Sequence, residues 1–287
     1  MFHYYFRMVE LLIRVDSPFE LPDLYELAIY RTAETVQEPD AVYEIKYLPA
    51  DYVEQGELII NERKSAIYDC GDSYHRYYFW NFDTEDKYVL LSYRKDDSRC
   101  FEIYLQQEYL TELLREFHLT PFLSMENMLL EHDVFQLHAS VIDWQGRGIL
   151  FTAPSGTGKS TQAELWRKYE GVRVINGDKG MIRKEANSYR VYGSPYAGTS
   201  GIYTDLFVPI HAIVVLSQAS ENRVERLGGA AAFRKLYRET TIPSWNQAFV
   251  EKISGILLDL MAHVPVYHLA CRPDKEAVEI LKAELEK

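Results

Sequence analysis

One stretch limits what this chain can fold into more than any other: residues 148–169, GILFTAPSGTGKSTQAELWRKY. An apolar run, Ile149-Leu150-Phe151, leads into a small-residue loop, Ala153-Pro154-Ser155-Gly156-Thr157-Gly158. Lys159-Ser160-Thr161 follows, and then a helix-forming segment containing Ala163, Leu165 and Trp166. Strand, glycine loop and helix are the context that a phosphate-binding loop requires. Backbone N–H groups of such a loop and of the first helical turn converge on phosphate oxygens. Gly156 and Gly158 permit conformations that a Cβ would obstruct. Lys159 is placed to reach the β- and γ-phosphates, and the Ser160 hydroxyl to ligate Mg²⁺. Nucleotide contacts are therefore expected from Ser155, Gly156, Thr157, Gly158, Lys159, Ser160 and Thr161. The pattern G-x-x-x-x-G-K-[ST] departs at its first position, where Ala153 stands for glycine. A plain Gly/Ser-rich turn would not account for the strand and helix that flank it.

Composition narrows the partners. The 287 residues suffice for one large or two ordinary domains, and 47% of them are hydrophobic, enough for a core in each. A net charge of −12 argues against a mainly electrostatic nucleic-acid binder. Cys70, Cys100 and Cys271 are widely spaced and form no C-x-x-C pair, so they read as ordinary thiols in a reducing compartment, not as a disulfide frame or zinc site. The first residues, MFHYYFRMVELLIRV, are interrupted by Arg7, Glu10 and Arg14 and make a poor signal peptide; a first strand is expected there. No apolar run approaches membrane-spanning length. A cytoplasmic protein without nucleic-acid or membrane partners is expected.

Two domains are expected, residues 1–128 and 129–287. The first is rich in Tyr and Phe, with apolar residues in strand-length runs: Val42–Tyr47, Glu57–Ile60, Tyr74–Phe82, Tyr88–Tyr93 and Cys100–Leu105. Turn clusters separate the runs, which predicts a mainly antiparallel sheet with hairpins. Its aromatic residues read as sheet core and cross-strand pairs; lining for a peptide or ligand groove is the alternative. Pro18, Pro22 and residues 20–27 suggest a loop and a short helix. Helical spacing follows over Tyr109–His118 and, after Pro121, over Leu123–His132.

In the second part, strands are expected over Val134–Ile142, Val172–Ile175, His211–Leu216 and Val264–Leu269. A hairpin joins Met181–Arg183 to Tyr189–Tyr192. Residues 193–201, GSPYAGTSG, form a loop that either closes over a second substrate or is a long surface turn. Helices are expected over Ala230–Glu239, Trp245–His263 and Asp274–Lys287.

The residues around the loop separate the classes of phosphate-binding-loop protein. No N-K-x-D for guanine occurs, and Asp143-Trp144-Gln145-Gly146 precedes the loop where a GTPase needs D-x-x-G after it. The strand Ile213–Leu216 ends in Ser217-Gln218, not in the acid of a standard ATPase. The acid comes early instead, as Asp178 just beyond Val172–Ile175. Asp178 reads as a metal contact or as the base for an acceptor hydroxyl, the alternative being a turn residue before Gly180. His138 on its apolar strand reads equally as a core residue or as a group that orients phosphate or metal. Lys179 and Arg272 are further phosphate or nucleotide candidates. His132-Asp133 with His138 is loosely metal-like in spacing, but a helix end explains it better.

Leu137-His138, Ser155–Thr161 and Asn176-Gly177-Asp178 together resemble the catalytic domain of the HPr kinase/phosphorylase family and, more distantly, ATP-dependent phosphoenolpyruvate carboxykinases. The wider run, with INGDK and GSPYAGTSG, is similar to HPr-kinase-related proteins found beside peptide-modification genes. The resemblance covers Phe135–Cys271. It implies an α/β fold, an HPr kinase/PEP carboxykinase-like P-loop domain behind an N-terminal, mainly antiparallel β (α+β) domain. It implies ATP- and Mg²⁺-dependent transfer of phosphate to a hydroxyl, of Ser type, on a peptide, small protein or small molecule. Catalytic roles would fall to Asp178, Lys159 and His138, and metal contacts to Ser160 and Asp178. HPr kinases carry two adjacent aspartates where this chain has Gly177-Asp178, and the dephosphorylation signature of the bifunctional enzymes is missing from Thr204–Gly229. Expected activity is therefore that of a kinase, without a clear phosphorylase signature. A nucleotide-gated peptide-binding module and a plain ATPase are the alternatives. The hexameric HPr kinases leave a homo-oligomer open.

Overall fold

The computed structural model describes residues 1–21, 24–34, 36–62, 65–79, 87–111 and 119–287, with backbone only at Lys87, Tyr88 and Tyr109. The chain forms two compact units, Met1–Glu131 and His132–Lys287. It is a mixed α/β protein with a sheet in each.

The first unit is built on strands β1 (Phe2–Met8), β2 (Leu11–Ser17), β3 (Arg31–Thr32), β4 (Ala41–Tyr47), β5 (Glu57–Glu62), β6 (Ser65–Asp69), β7 (Ser73–Phe79), β8 (Lys87–Arg94) and β9 (Cys100–Leu105). Their order is β3-β1-β2-β4-β9-β8-β7-β6-β5. All neighbours are antiparallel except β2–β4 and β4–β9, so the sheet is mostly antiparallel, as the strand-length runs predict. The opening run, expected as one strand, is a hairpin. Val9 and Glu10 turn the chain with φ of 51° and 64°, a two-residue turn written without the usual Gly or Asn. β6 was also not expected. The aromatic residues are core: Tyr43 stacks on Phe101 with ring centroids 4.5 Å apart, and Tyr68 meets Tyr77 edge-on at 5.6 Å. A 3-10 turn at Tyr25–Tyr30 takes the place of the expected short helix, and the helix Met125–Glu131 ends the unit. The helix expected over Tyr109–His118 and the end of the Tyr74–Phe82 run lie largely outside the described residues.

The second unit contains β10 (Val134–Trp144), β11 (Arg147–Thr152), β12 (Arg173–Asn176), β13 (Lys179–Lys184), β14 (Tyr189–Tyr192), β15 (Phe207–Gln218), β16 (Arg223–Leu227) and β17 (Val266–Cys271). Two long strands do double duty. The first half of β10 pairs with β13, and its second half with β11 and β12. Likewise β15 pairs with β14 at its start and then runs parallel to β11 and β17. β10, β13, β14, β15 and β11 therefore close into a circuit. The helices Lys159–Glu170 and Lys275–Leu285 pack over the β11/β15/β17 sheet. Trp166 is fully buried there, edge-on to Trp144 at 5.4 Å. Helix starts are capped where sequence allows: Asn246 accepts from the Ala248 and Phe249 amides and Asp274 from Ala277. β16 was not expected, because an edge strand reading Arg-Val-Glu-Arg-Leu carries too little apolar signal.

The β10–β11 turn gives a first prediction. Gln145 is exposed and held at φ 54°, ahead of Gly146 at φ 79°, and such left-handed backbone costs a side chain like Gln more than it costs Asn. Gln145→Asn should stabilise the protein by about 0.5 kcal/mol, read as a higher urea midpoint at unchanged slope.

Among the described residues, no helix is long and apolar enough to cross a membrane.

Candidate functional site

β11 ends at Thr152 and the next helix begins at Lys159, so the glycine loop, residues 153–158, bridges a strand end and a helix start. Gly156 and Gly158 adopt φ of 78° and 118°, and a Cβ added at either would meet nothing closer than 4.0 Å. The concavity in front of the loop is open, and backbone shape, not crowding, requires the glycines. Ser155, Ser160 and Thr161 are exposed at its rim.

Lys159 is different. Its residue is only 7% exposed, and Nζ donates to the Ala153 carbonyl at 2.8 Å and to Pro154 at 3.4 Å. Burial pushes the ammonium below its ordinary range, while Glu239 and Asp178 pull it back up through space. No carboxylate pairs with it directly among the described residues. A half-compensated buried cation at the head of a glycine loop is suited to receiving an anion.

Asp178 sits in the tight turn between β12 and β13. Asn176 makes that turn: its Oδ1 accepts from the amides of Asp178 at 2.9 Å and Lys179 at 2.8 Å, and its Nδ2 donates to the Ser194 carbonyl. The backbone at Asp178 is also tied to β10, through the Ala139 amide donating to its carbonyl at 2.8 Å. Gly198 leans on the carboxylate from the 193–201 loop. It has φ 55°, and a Cβ there would lie 2.7–2.8 Å from the Asp178 carboxyl group. The loop is thus packed against the acid, and Lys179 is engaged with the Tyr196 ring at 4.7 Å.

His138 joins the two acids. Its Nε2 lies 3.4 Å from Asp178 Oδ1 and its Nδ1 3.3 Å from Glu239 Oε2. An imidazole carrying one proton donates to one carboxylate, and a doubly protonated ring to both. This contact holds the Asp178 carboxyl below its ordinary range, ahead of the opposing effect of its burial. His138 is therefore a half-buried polar bridge, not the apolar core residue that its strand suggested. Its backbone is tied to the loop as well, since the Thr152 hydroxyl donates to the His138 carbonyl at 2.8 Å.

Glu239 was missed by sequence reading. It closes the helix Gly229–Glu239, whose end is fixed to β10 by the Thr241 amide donating to the Gln136 carbonyl at 2.9 Å. Its side chain is 9% exposed. The contact spans 101 positions, and a Glu in a helix end gives no local sign of it.

Beside the loop lies a cleft of about 420 Å³ lined by Gly156, Thr161, Gln162, Leu216, Gln218 and Cys271, among others. Gln162 is buried. Its Nε2 donates to Cys271 Sγ at 3.2 Å, and its carbonyl oxygen, closed off from solvent, has no hydrogen-bond partner among the described residues. Arg272 lines the same cleft, but its guanidinium is taken up by Asp274 and Glu276, each at 2.7 Å. His132 and Asp133 do not join His138 in any cluster able to hold a metal among the described residues.

The second unit thus carries a glycine loop between strand and helix, a buried lysine at the head of that helix, and two acids bridged by a histidine. The sequence model of the family described as "SynChlorMet cassette protein ScmC" matches residues 122–273, more than half of the chain. The chain belongs to the ScmC family. Comparison with the curated proteins gives no match. Among solved structures, the HPr(Ser) kinase/phosphatase from Coxiella burnetii is similar over 53% of this chain and 99% of that one, at 13% identity and a TM-score of 0.31. At that level of likeness, function has to be argued from the site itself.

Proposed function

We propose that the chain is an ATP- and Mg²⁺-dependent kinase that transfers the γ-phosphoryl group to a hydroxyl, of Ser type, on a peptide, small protein or small molecule. One observation carries the reading: buried Lys159 at the loop, with the Asp178–His138–Glu239 array within electrostatic range of it. Such an array is suited to neutralising a transferring phosphoryl while deprotonating its acceptor.

The residues present fit the two groups that the reading requires. The loop is open where phosphates would lie, and the adjoining cleft of about 420 Å³ has room for a base. Ser160 and Asp178 would hold Mg²⁺. That ion, when bound, offsets charge on the phosphates. Lys159 turns from its two carbonyls to the phosphoryl oxygens. The acceptor oxygen bonds to the γ-phosphorus as its proton passes to Asp178, and the bond to the bridging oxygen breaks to release ADP. His138, gripped by Glu239, keeps the Asp178 carboxylate aimed and ionised. Glu239 thereby brings in, from another element, a second acid where Gly177 lacks one.

The test uses γ-labelled ATP with Mg²⁺ and a size-fractionated extract. Label moving onto one peptide or small-molecule fraction supports the kinase. Label released only as free phosphate, or tight ATP binding without turnover, sinks it in favour of an ATPase or a nucleotide-gated binder.

Gly198 supplies a further expectation within this reading. Gly198→Ala should push the Asp178 carboxylate aside and slow transfer by roughly 10–100-fold, with little change in nucleotide affinity measured by equilibrium dialysis. Unchanged turnover would mean that the loop's approach to the acid is incidental.

A further inference from the structure

A second cluster of reactive side chains lies in the first unit, where nothing in the nucleotide reading uses it. Glu54 precedes β5, Cys70 follows β6 and His75 lies on β7. The hairpin turn, closed by the Cys70 amide donating to the Ser73 carbonyl at 3.0 Å, brings Cys70 and His75 onto one side. Glu54 then meets both: Cys70 Sγ lies 3.3 Å from Oε1 and His75 Nδ1 lies 2.8 Å from Oε2. One ligand atom from each residue can be chosen so that all three lie within 4.8 Å of one another.

We propose that Glu54, Cys70 and His75 form a binding site for a divalent transition-metal ion of the zinc type. Thiolate, carboxylate and neutral imidazole are the donor set zinc prefers, and sulfur and nitrogen together exclude Mg²⁺ and Ca²⁺. Thiolate and carboxylate supply two negative charges against the ion's two positive ones, so the half-buried site is neutral when filled. Tetrahedral zinc with bonds of about 2.0–2.3 Å needs ligand atoms roughly 3.3–3.6 Å apart; the Cys70–Glu54 contact is already 3.3 Å, the His75–Glu54 contact at 2.8 Å need open only slightly, and all three ligand atoms lie within 4.8 Å of one another. Protons now shared within the cluster, on Cys70 and on the His75 nitrogen facing Glu54, leave to solvent as the ion takes their place.

The surroundings are arranged for the carboxylate. Tyr52 and Tyr77 hydroxyls donate to Glu54 Oε2 at 3.0 and 2.9 Å, and the Gly56 amide donates to Oε1 at 2.8 Å. Outer hydrogen bonds of this kind orient metal ligands. Gly56 must be a glycine for the cluster to close: a Cβ there would stand 2.6 Å from Cys70 Sγ. Three protein ligands leave a fourth position for water. Cys70 was expected to be an ordinary thiol, because no second cysteine lies near it in sequence. Its partners come from a hairpin and a loop instead.

Cobalt replaces zinc in such sites and reports its ligands by colour. Co²⁺ titrated into the chelator-treated full chain should give tetrahedral visible bands and a near-ultraviolet thiolate-to-cobalt band, both erased by Zn²⁺. The sulfur band should vanish in Cys70→Ser, weaken strongly in His75→Ala, and persist in Cys100→Ser and Cys271→Ser. Cobalt held at the phosphate loop has only oxygen ligands and gives no sulfur band. Zn²⁺ should raise the melting temperature of the wild type but not of Cys70→Ser, each compared with itself in chelator. Absence of a sulfur band, or one that survives Cys70→Ser, overturns the proposal.

Discussion

Lys159→Ala is expected to abolish labelled-phosphate transfer, by ~10³-fold or more, the scale set when a charged group is removed from a phosphoryl-transfer or oxyanion site. That corresponds to about 4 kcal/mol of lost transition-state stabilisation. Nucleotide affinity should fall as well. The same variant should fold as well as the wild type, its melting temperature within about 3 °C. The ammonium is buried against two carbonyls, with no directly paired carboxylate among the described residues, and is held below its ordinary range by that burial. Removing it relieves a desolvation cost as it takes away a contact. A variant that keeps its fold and its transfer rate would remove the basis of the kinase reading.

Asp178→Asn separates binding from chemistry. The amide preserves the shape of the turn, because the turn is held by Asn176 and by the backbone bond to Ala139, not by the Asp178 side chain. It cannot accept the acceptor's proton. Transfer should drop by about 10²–10⁴-fold, with nucleotide binding, followed by fluorescence of a labelled analogue, changed only a few-fold. Loss of binding in proportion to transfer would instead assign Asp178 to holding the metal alone. Full transfer in this variant would leave Asp178 as a turn residue.

How much of this was legible in the sequence differs by element. The loop was, because its signal is local: strand, glycines, lysine and helix lie within 22 consecutive residues, 148–169. The hairpin β13–β14 and the three C-terminal helices were legible for the same reason. The opening hairpin was not, since Val9-Glu10 adopt positive φ without a residue type that announces it. Nor was Glu239, whose role depends on a helix end docking against β10 across most of the second unit's sequence. His138 could be flagged but not decided, because its environment is set by two acids that arrive from β12–β13 and from that helix. The Glu54–Cys70–His75 group was hidden by separation: Cys70 and His75 share one hairpin, but Glu54 stands sixteen positions before Cys70 and nothing local announces that it folds back onto the pair.

The strand circuit of the second unit has a consequence for motion. Because β10 and β15 each serve two sheets, no strand of the β10–β13–β14–β15–β11 ring can peel away without breaking ladders on two sides. A ring of this kind has no hinge line and no free edge, so it opens as one cooperative block or not at all. The histidine strand, the acid turn and the start of the glycine loop are all fastened to that block. Under the kinase reading, the rearrangement that admits an acceptor falls to segments outside the ring, and the 193–201 stretch, which belongs to no strand and holds a short 3-10 turn at Gly198–Ser200, lies against Asp178.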